Sequence, residues 1–217
     1  PMSRGLGDVY KRQLIDSVDT TNEWLYFFNG IRPTDLSGDS NLGEMVGSAG
    51  DVDGDGTIDF MYSVEQYRYG EVLEDVVKII SGSTGKVLRE HISNGGWSGS
   101  NFGDAGATVG DLNGDGFDEY MISSPRTSDE VLGRTGMVTV YSGQDGSIFQ
   151  SFSGLSHNDE FGAAVAGNAD VNNDGLNDII VGAPQTSNSS GRGYVQVFSG
   201  ADGCLLYTSP SPRDIGE

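Results

Sequence analysis

The sequence predicts an all-β protein made of consecutive four-stranded antiparallel units. Three observations predict this fold class: a repeat of about sixty residues, many glycines with few prolines, and four short apolar stretches in each repeat. The 217 residues include 34 Gly and 6 Pro with 35% hydrophobic residues, which suits short strands joined by tight turns. A chain of this length is expected to form one domain or part of one.

The repeat is clearest at three acidic loops, which Asp51, Asp111 and Asp170 open at spacings of 60 and 59 residues. One apolar stretch precedes each loop, a second follows it, a third alternates and ends in Ser-Gly, and a fourth comes after a short turn. In the second unit we expect strands at about Ala105–Val109, Tyr120–Ser124, Met137–Tyr141 and Ile148–Phe152. The turn between the last two strands carries glycines, which favours a hairpin.

Repeated units of this kind build either propeller blades or the turns of a solenoid. Phe-Gly pairs at Phe102–Gly103 and Phe161–Gly162 precede the first strand, and Gly-Ala-Pro at Gly182–Pro184 follows the second strand of the third unit. These marks favour propeller blades. Because a closed propeller needs at least about four blades, we expect three blades of a larger propeller, with exposed edges at both ends.

The predicted blades span residues 37–96, 97–153 and 154–203. Residues 14–36 contain Trp24–Gly30, which resembles a third-strand stretch and indicates a remnant of a preceding blade. An unrelated leader strand is the alternative for this segment.

The ends, residues 1–13 and 204–217, are interpreted as non-native tails. One DNA duplex can encode Ser3–Gln13 on one strand and the ten residues Cys204–Arg213 on the other, and it resembles the transposase adapters of sequencing libraries. Both tails are therefore left out of the fold prediction. Since Cys204 is the sole cysteine, no disulfide or thiol ligand is expected between the tails.

Charge restricts the partners. Asp and Glu number 32 against 12 Lys and Arg, which gives a net charge of −20. This charge repels phosphate backbones and attracts cations, so nucleic acid is not an expected partner. No run of about 18 apolar residues occurs, so no membrane-spanning segment or membrane contact is expected.

The acidic loops read DVDGDGTID, DLNGDGFDE and DVNNDGLND, with oxygen-bearing side chains at positions one, three, five and nine. A Ca²⁺ ion takes about six to eight oxygen ligands at about 2.3–2.6 Å, so a short loop must turn several carboxylates inward. Glycine at position six permits the sharp turn, and the carbonyl of position seven can then face the ion. The predicted ligands are Asp51, Asp53, Asp55, Thr57 and Asp59, then Asp111, Asn113, Asp115, Phe117 and Glu119, and finally Asp170, Asn172, Asp174, Leu176 and Asp178.

We therefore expect about three structural Ca²⁺ ions. Glu119 is one methylene longer than the usual Asp, and Asp118 beside it is an alternative ligand. Asp, Asn and Gly are also common in simple turns, but three copies in register, each with carboxylates that repel one another, favour a bound dication. Magnesium stays an alternative, although its octahedral, water-rich coordination fits less well. Zinc is disfavoured because only His91 and His157 are available, without ligand spacing.

The Phe-Gly and Gly-Ala-Pro marks with the acidic loops between them resemble the FG-GAP repeats of integrin α-subunit propellers, which also occur in secreted microbial proteins. The resemblance covers nearly all of residues 14–203 and is most specific in the third unit. The first unit has Leu42–Gly43 in place of Phe-Gly, and Ser63–Glu65 and Ser123–Pro125 stand in place of Gly-Ala-Pro. The resemblance implies a seven-bladed propeller.

Two functions stay open. In the first, the protein is an extracellular or cell-surface adhesion scaffold. Its loops between second and third strands present contacts to a protein or glycan partner, at Glu65–Asp75, Arg126–Thr135 and Gln185–Gly193. In the second, it is the non-catalytic propeller part of a secreted hydrolase or polysaccharide lyase. No nucleophile elbow or phosphate-binding glycine loop occurs, so the chain itself is not expected to be an enzyme. Loops of this kind suit extracellular, millimolar calcium.

Overall fold

The computed structural model describes residues 40–68, 71–93, 100–129, 133–185 and 193–210. Within these ranges the chain forms strands and turns, and no helix there is long and apolar enough to cross a membrane. The predicted blade remnant at residues 14–36 and the N-terminal tail lie outside the described residues.

Three sheets of four antiparallel strands follow one another along the chain. Blade 1 consists of β1 (Ser40–Gly50), β2 (Asp59–Arg68), β3 (Glu71–Ile80) and β4 (Val87–Ile92). Blade 2 begins with β5 (Gly106–Gly110) and β6 (Glu119–Ser124), continues through a small hairpin of β7 (Ser128–Asp129) and β8 (Gly133–Arg134), and ends with β9 (Met137–Tyr141) and β10 (Ile148–Ser153). Blade 3 consists of β11 (Ala164–Ala169), β12 (Asp178–Ala183), β13 (Tyr194–Phe198) and β14 (Leu205–Pro210).

The blades meet along their first strands. Strand β5 lies beside β1 on one side and β11 on the other, while the later strands of each sheet lie farther from this line. Each connection between first and second strands, or between third and fourth, falls at one end of the sheet, and the connection between second and third strands falls at the opposite end. This arrangement is that of consecutive propeller blades, so the predicted all-β propeller-like fold is confirmed.

The core lies between the sheets and forms two clusters. In β6, Tyr120 and Ile122 pack toward blade 1, whereas Met121 packs toward blade 3. This alternation follows from the two-residue period of a strand. Five of the six residues of β6 are buried, because blade 2 is covered on both faces.

The Phe-Gly mark is an inter-blade wedge. Phe161 is fully buried, and its ring lies edge-on to Phe198 with centroids 6.3 Å apart. The Gly162 N–H donates to the Gly182 carbonyl at 3.0 Å. A Cβ on Gly162 would lie 2.9 Å from the Val138 side chain of blade 2, so a larger residue would push the blades apart. The mark therefore fixes where blade 3 starts against blade 2.

The predicted contact loops differ from one another in structure. Glu65 pairs with Asp75 and Arg68 with Glu71, so this segment is an extension of the β2–β3 hairpin and not a loop. The segment Arg126–Thr135 contains the β7–β8 hairpin. Of the third predicted loop, the structure describes Gln185 and Gly193 and not the residues between them.

Blade 3 extends beyond its predicted limit at residue 203. Strand β14 lies inside the segment 204–217 that was set aside as a tail, and it pairs with β13 from Tyr194–Pro210 to Phe198–Leu205. Ladder hydrogen bonds use only backbone groups, so many sequences can fill an outer strand. The pairing therefore shows where this segment lies in the fold. Its non-native origin stays a prediction.

Candidate metal centres

The three acidic loops share a set of internal hydrogen bonds. We call them loop 1 (Asp51–Asp59), loop 2 (Asp111–Glu119) and loop 3 (Asp170–Asp178). In each loop, the carboxylate at position one accepts the N–H groups of positions five and six. The position-six bonds, from Gly56, Gly116 and Gly175, measure 2.8, 2.9 and 2.9 Å. All three glycines have φ between 84° and 94°, a backbone region that a side chain disfavours.

The side chains at positions three and five are also oriented by hydrogen bonds from backbone N–H groups of their own loop. The side chain at position three accepts the N–H of position five at 3.1, 2.8 and 2.9 Å in the three loops. The carboxylate at position five accepts the N–H of position seven, which is Thr57, Phe117 or Leu176, at 2.8, 2.9 and 2.9 Å. Each side chain thus uses one oxygen to curl the loop, which is typical Asx-turn chemistry.

The carboxylate at position nine is buried. Asp59, Glu119 and Asp178 all have an exposed fraction of 0%. One carboxylate oxygen accepts the N–H of position two, from Val52, Leu112 or Val171, at 2.9, 2.8 and 2.8 Å. This bond ties the end of each loop back to its beginning.

The other oxygen of position nine accepts an N–H that the sequence did not single out. It comes from the Ser-Gly turn after the third strand, at Gly82, Gly143 and Gly200, over 2.9, 3.5 and 3.1 Å. A Cβ on these glycines would lie 2.1, 2.3 and 1.9 Å from the carbonyl oxygen of position eight. The recurrence of Ser-Gly, with its glycine 22 to 24 residues after position nine of every acidic loop, was the available signal.

Glu119 fills position nine of loop 2 in the same way as the two aspartates. Its two oxygens accept the N–H groups of Leu112 and Gly143, as their counterparts do in the other loops. Asp118, the alternative ligand, instead accepts the N–H of Asp51 on blade 1 at 2.9 Å. In this structure Glu119 therefore holds the closing position.

Electrostatics in loops 1 and 2 favours a bound cation. Burial raises the pKa of Asp59, the N–H groups of Gly82 and Val52 oppose this, and the charges of Asp53 and Asp51 raise the pKa further. The pKa of Glu119 is raised by burial for the same reason, with contributions from Asp115 and Asp111. A dication among these groups would reverse the repulsion between the carboxylates.

Loop 1 brings its acidic groups closest together. Asp51, Asp53 and Asp59 each offer an oxygen, and these oxygens lie within 4.8 Å of one another. An all-oxygen set of this kind fits Ca²⁺ and does not suit Zn²⁺. In loops 2 and 3 the side-chain amide of Asn113 or Asn172 replaces one carboxylate and donates to the position-five carboxylate at 3.0 and 2.8 Å.

The two histidines lie elsewhere. The His91 ring bonds the Tyr120 hydroxyl at 2.7 Å between blades 1 and 2. His157 accepts the N–H of Arg134 at 3.2 Å. Neither histidine joins an acidic loop among the described residues.

The fold and the loops define a class of protein: propeller-like blades that each carry an acidic, oxygen-rich loop between their first two strands. Comparison with known proteins agrees. Residues 161–198 match the family model described as the FG-GAP repeat. Integrin alpha-3 of Cricetulus griseus is 32% identical over 128 residues, which is 57% of this chain and 12% of that protein. Integrin alpha-PS2 of Drosophila melanogaster is 30% identical over 164 residues, 65% of this chain and 12% of that protein.

The predicted resemblance to FG-GAP repeats and integrin α subunits is thereby confirmed. The chain spans about an eighth of the length of these relatives. Among solved structures, the Bacillus licheniformis rhamnogalacturonan lyase PL11 matches with a TM-score of 0.51 and 14% identity, over 84% of this chain and 36% of that one. At this identity the match shows a shared fold.

Proposed function

We propose that this chain is a calcium-binding, integrin-like propeller segment that serves as an extracellular adhesion or binding scaffold and is not itself an enzyme. The observation that carries the proposal is that the same backbone hydrogen bonds orient the side chains at positions one, three, five and nine in three consecutive blades. Kinship with integrin α subunits supports the scaffold role and the extracellular location. Millimolar extracellular calcium suits acidic loops of this type.

The loops have a structural task in this proposal. When bound, Ca²⁺ supplies positive charge that offsets the negative charge of the buried carboxylates at position nine. The chain's own residues connect each loop to the turn between the third and fourth strands, through Gly82, Gly143 and Gly200. The loop and this turn are therefore held as one unit at one end of the blade.

The partner surface would lie at the other end of the blades. The connections between second and third strands, including the β2–β3 extension and the β7–β8 hairpin, are at the end opposite to the acidic loops. A protein or glycan ligand bound there would contact the loops and not the ions. The remaining blades of the same propeller are further partners in this proposal.

Thermal unfolding of the full chain in Ca²⁺, in Mg²⁺ and with a chelator tests the metal. A ligand at about 100 times its Kd stabilises a protein by about 2.7 kcal/mol per site, so calcium should raise the Tm by many degrees and magnesium by much less. Asp51→Ala should reduce the calcium-dependent rise, whereas Asp104→Ala, an exposed carboxylate outside the loops, should not. An unchanged Tm after chelation would refute calcium binding.

The rival function is the non-catalytic propeller part of a secreted hydrolase or lyase, which the shared fold with a rhamnogalacturonan lyase supports. Glycan arrays and incubation with pectic polysaccharides separate the two. An adhesion scaffold binds a protein or glycan without consuming it. Shortened polysaccharide released by the chain itself would overturn the non-enzymatic assignment.

A further inference from the structure

In loops 2 and 3 the residue at position eight contacts the preceding blade. In loop 2 this residue is Asp118, whose carboxylate accepts the Asp51 N–H at 2.9 Å. The Asp118 N–H also donates to the Asp51 carbonyl at 2.9 Å. Both backbone groups of the first residue of loop 1 are thus held by blade 2.

Loop 2 lies tightly against loop 1 around this pair of bonds. A Cβ on Gly50 would lie 2.5 Å from the Asp118 side chain, so Asp118 fits only beside a glycine. A Cβ on Gly54, inside loop 1, would lie 3.0 Å from the Phe117 ring. Two successive residues of loop 2 therefore support the backbone of loop 1.

The corresponding residues of the other loops behave differently. Asn177 in loop 3 donates to the Val109 carbonyl at 3.2 Å, two residues before loop 2 begins. Ile58 in loop 1 has no polar side chain and is 62% exposed. Among the described loops, Asp118 is thus the position-eight side chain that bonds the first residue of a neighbouring loop.

We propose that Asp118 is a positioning residue for the cation of loop 1, so that the calcium affinity of loop 1 depends on blade 2. The inference rests on the proposed calcium binding. Asp51 supplies the position-one carboxylate, and its orientation relative to Asp53 and Asp59 depends on where its backbone is fixed. Without the Asp118 carboxylate, the Asp51 N–H loses its acceptor, and only the bond from the backbone N–H of residue 118 to the Asp51 carbonyl still holds the start of loop 1.

Each loop contains its own reporter for the test. The amides of Gly56, Gly116 and Gly175 donate to the position-one carboxylate of their own loop, so their NMR shifts respond to cation binding at that loop. A calcium titration of the full chain then gives three separate midpoints. Asp118→Ala should raise the calcium concentration at the Gly56 midpoint about five- to tenfold, within the usual range of coupling between sites. The Gly116 midpoint should change by less than about twofold, because Glu119 and its contacts remain.

Two variants distinguish positioning from general damage. Asp118→Asn keeps an oxygen that can accept the Asp51 N–H, so it should return the Gly56 midpoint to within about twofold of the unmodified chain. Asn177→Ala removes the equivalent contact between blades 2 and 3 and should leave the Gly56 midpoint unchanged.

The outcomes separate this inference from the proposed function. An unshifted Gly56 midpoint in Asp118→Ala, with normal calcium binding at all three loops, would overturn the role of Asp118 and leave calcium binding intact. If calcium shifts none of the three glycine amide signals of the unmodified chain, calcium binding itself is overturned. If Asp118→Ala does not fold, Asp118→Asn decides: a midpoint near that of the unmodified chain supports positioning, and a fivefold shift contradicts it.

Discussion

The interface between blades 1 and 2 and the interface between blades 2 and 3 share a topology and differ in chemistry. At the first, the His91 ring packs against Tyr141 in a tilted arrangement, with centroids 4.0 Å apart, and bonds the Tyr120 hydroxyl. At the second, Phe152 and Phe198 lie 4.2 Å apart at their centroids, with Phe161 buried beside them. The repeat fixes where side chains meet, and each pair of blades then fills that space with polar or apolar rings.

The connections between the blades show the same contrast. Asp159, before blade 3, is buried and accepts bonds from Tyr194, Gln185 and the N–H groups of Leu155 and Ser156, at 2.6–2.8 Å. Its counterpart before blade 2 is Ser100. Both residues accept a backbone N–H with their carbonyl oxygen, from Gln185 at 3.1 Å and from Arg126 at 3.0 Å. The shared backbone bond shows that the two positions are equivalent, and among the described residues of the two connections only Asp159 is a buried anion.

The largest effect is expected from removing the apolar wedge. Phe161→Ala should lower the free energy of unfolding by about 3–5 kcal/mol, because a fully buried ring leaves a cavity between blades 2 and 3. Phe102→Ala is the matched variant at the other interface and should cost clearly less, since that ring is only partly buried. Urea unfolding measures both changes, and equal losses would contradict the contrast between the interfaces.

Asp159 should have the next largest effect. Asp159→Ala leaves the Tyr194 hydroxyl and the Ser156 N–H without their acceptor and leaves the Leu155 N–H with the Tyr194 hydroxyl oxygen alone, so we expect a loss of about 2–4 kcal/mol. Ser100→Ala should change stability by less than about 1 kcal/mol. Chemical denaturation of both variants checks this order. A larger loss of stability for Ser100→Ala than for Asp159→Ala would contradict it.

The blade 1–blade 2 interface should respond to acid through His91. Burial, with a smaller contribution from Arg89, lowers the pKa of His91 to about 4. The unfolded chain has a His pKa of about 6.5, so the neutral ring stabilises the fold fully above that pH. This contribution is lost as the pH falls from about 6.5 toward 4, and it amounts to about 1–2 kcal/mol once partial exposure is considered.

Tm measured against pH for the unmodified chain and for His91→Gln tests the histidine. The difference between the two curves should change between pH 6.5 and 4. His157→Gln, which removes a histidine outside this interface, is measured alongside as the control. Parallel curves for His91→Gln would show that this ring does not sense acid.

The smallest effect is expected from Arg89, which reaches across the same interface and donates to the Gln144 carbonyl at 2.7 Å. Arg89→Gln should cost less than about 1 kcal/mol, since the bond is exposed to solvent. The same variant should raise the pKa of His91, because it removes a nearby positive charge. NMR titration of the His91 ring measures this directly, and an unchanged or lower pKa would argue against the charge effect.

Much of the fold could be predicted because it depends on local patterns. The strand predicted at Met137–Tyr141 is observed with the same bounds, and Ala105–Val109 is observed one residue later as Gly106–Gly110. The positions of the acidic loops between first and second strands follow from the recurrence of Asp and Gly at fixed spacing. The β2–β3 extension was missed because its polar residues look like those of a loop, while backbone pairing overrides that composition.

The repeat, the strand order within each blade and the oxygen-rich loops can be predicted from the amino-acid sequence, since these depend on residues close together in the chain. Tertiary structure alone decided that Gly82 caps Asp59 across 23 residues and that Asp118 holds Asp51 across 67. It also decided which rings meet between the blades. Such contacts depend on the distance between sheets and on the direction of individual side chains, and the spacing of residue types along a chain encodes neither.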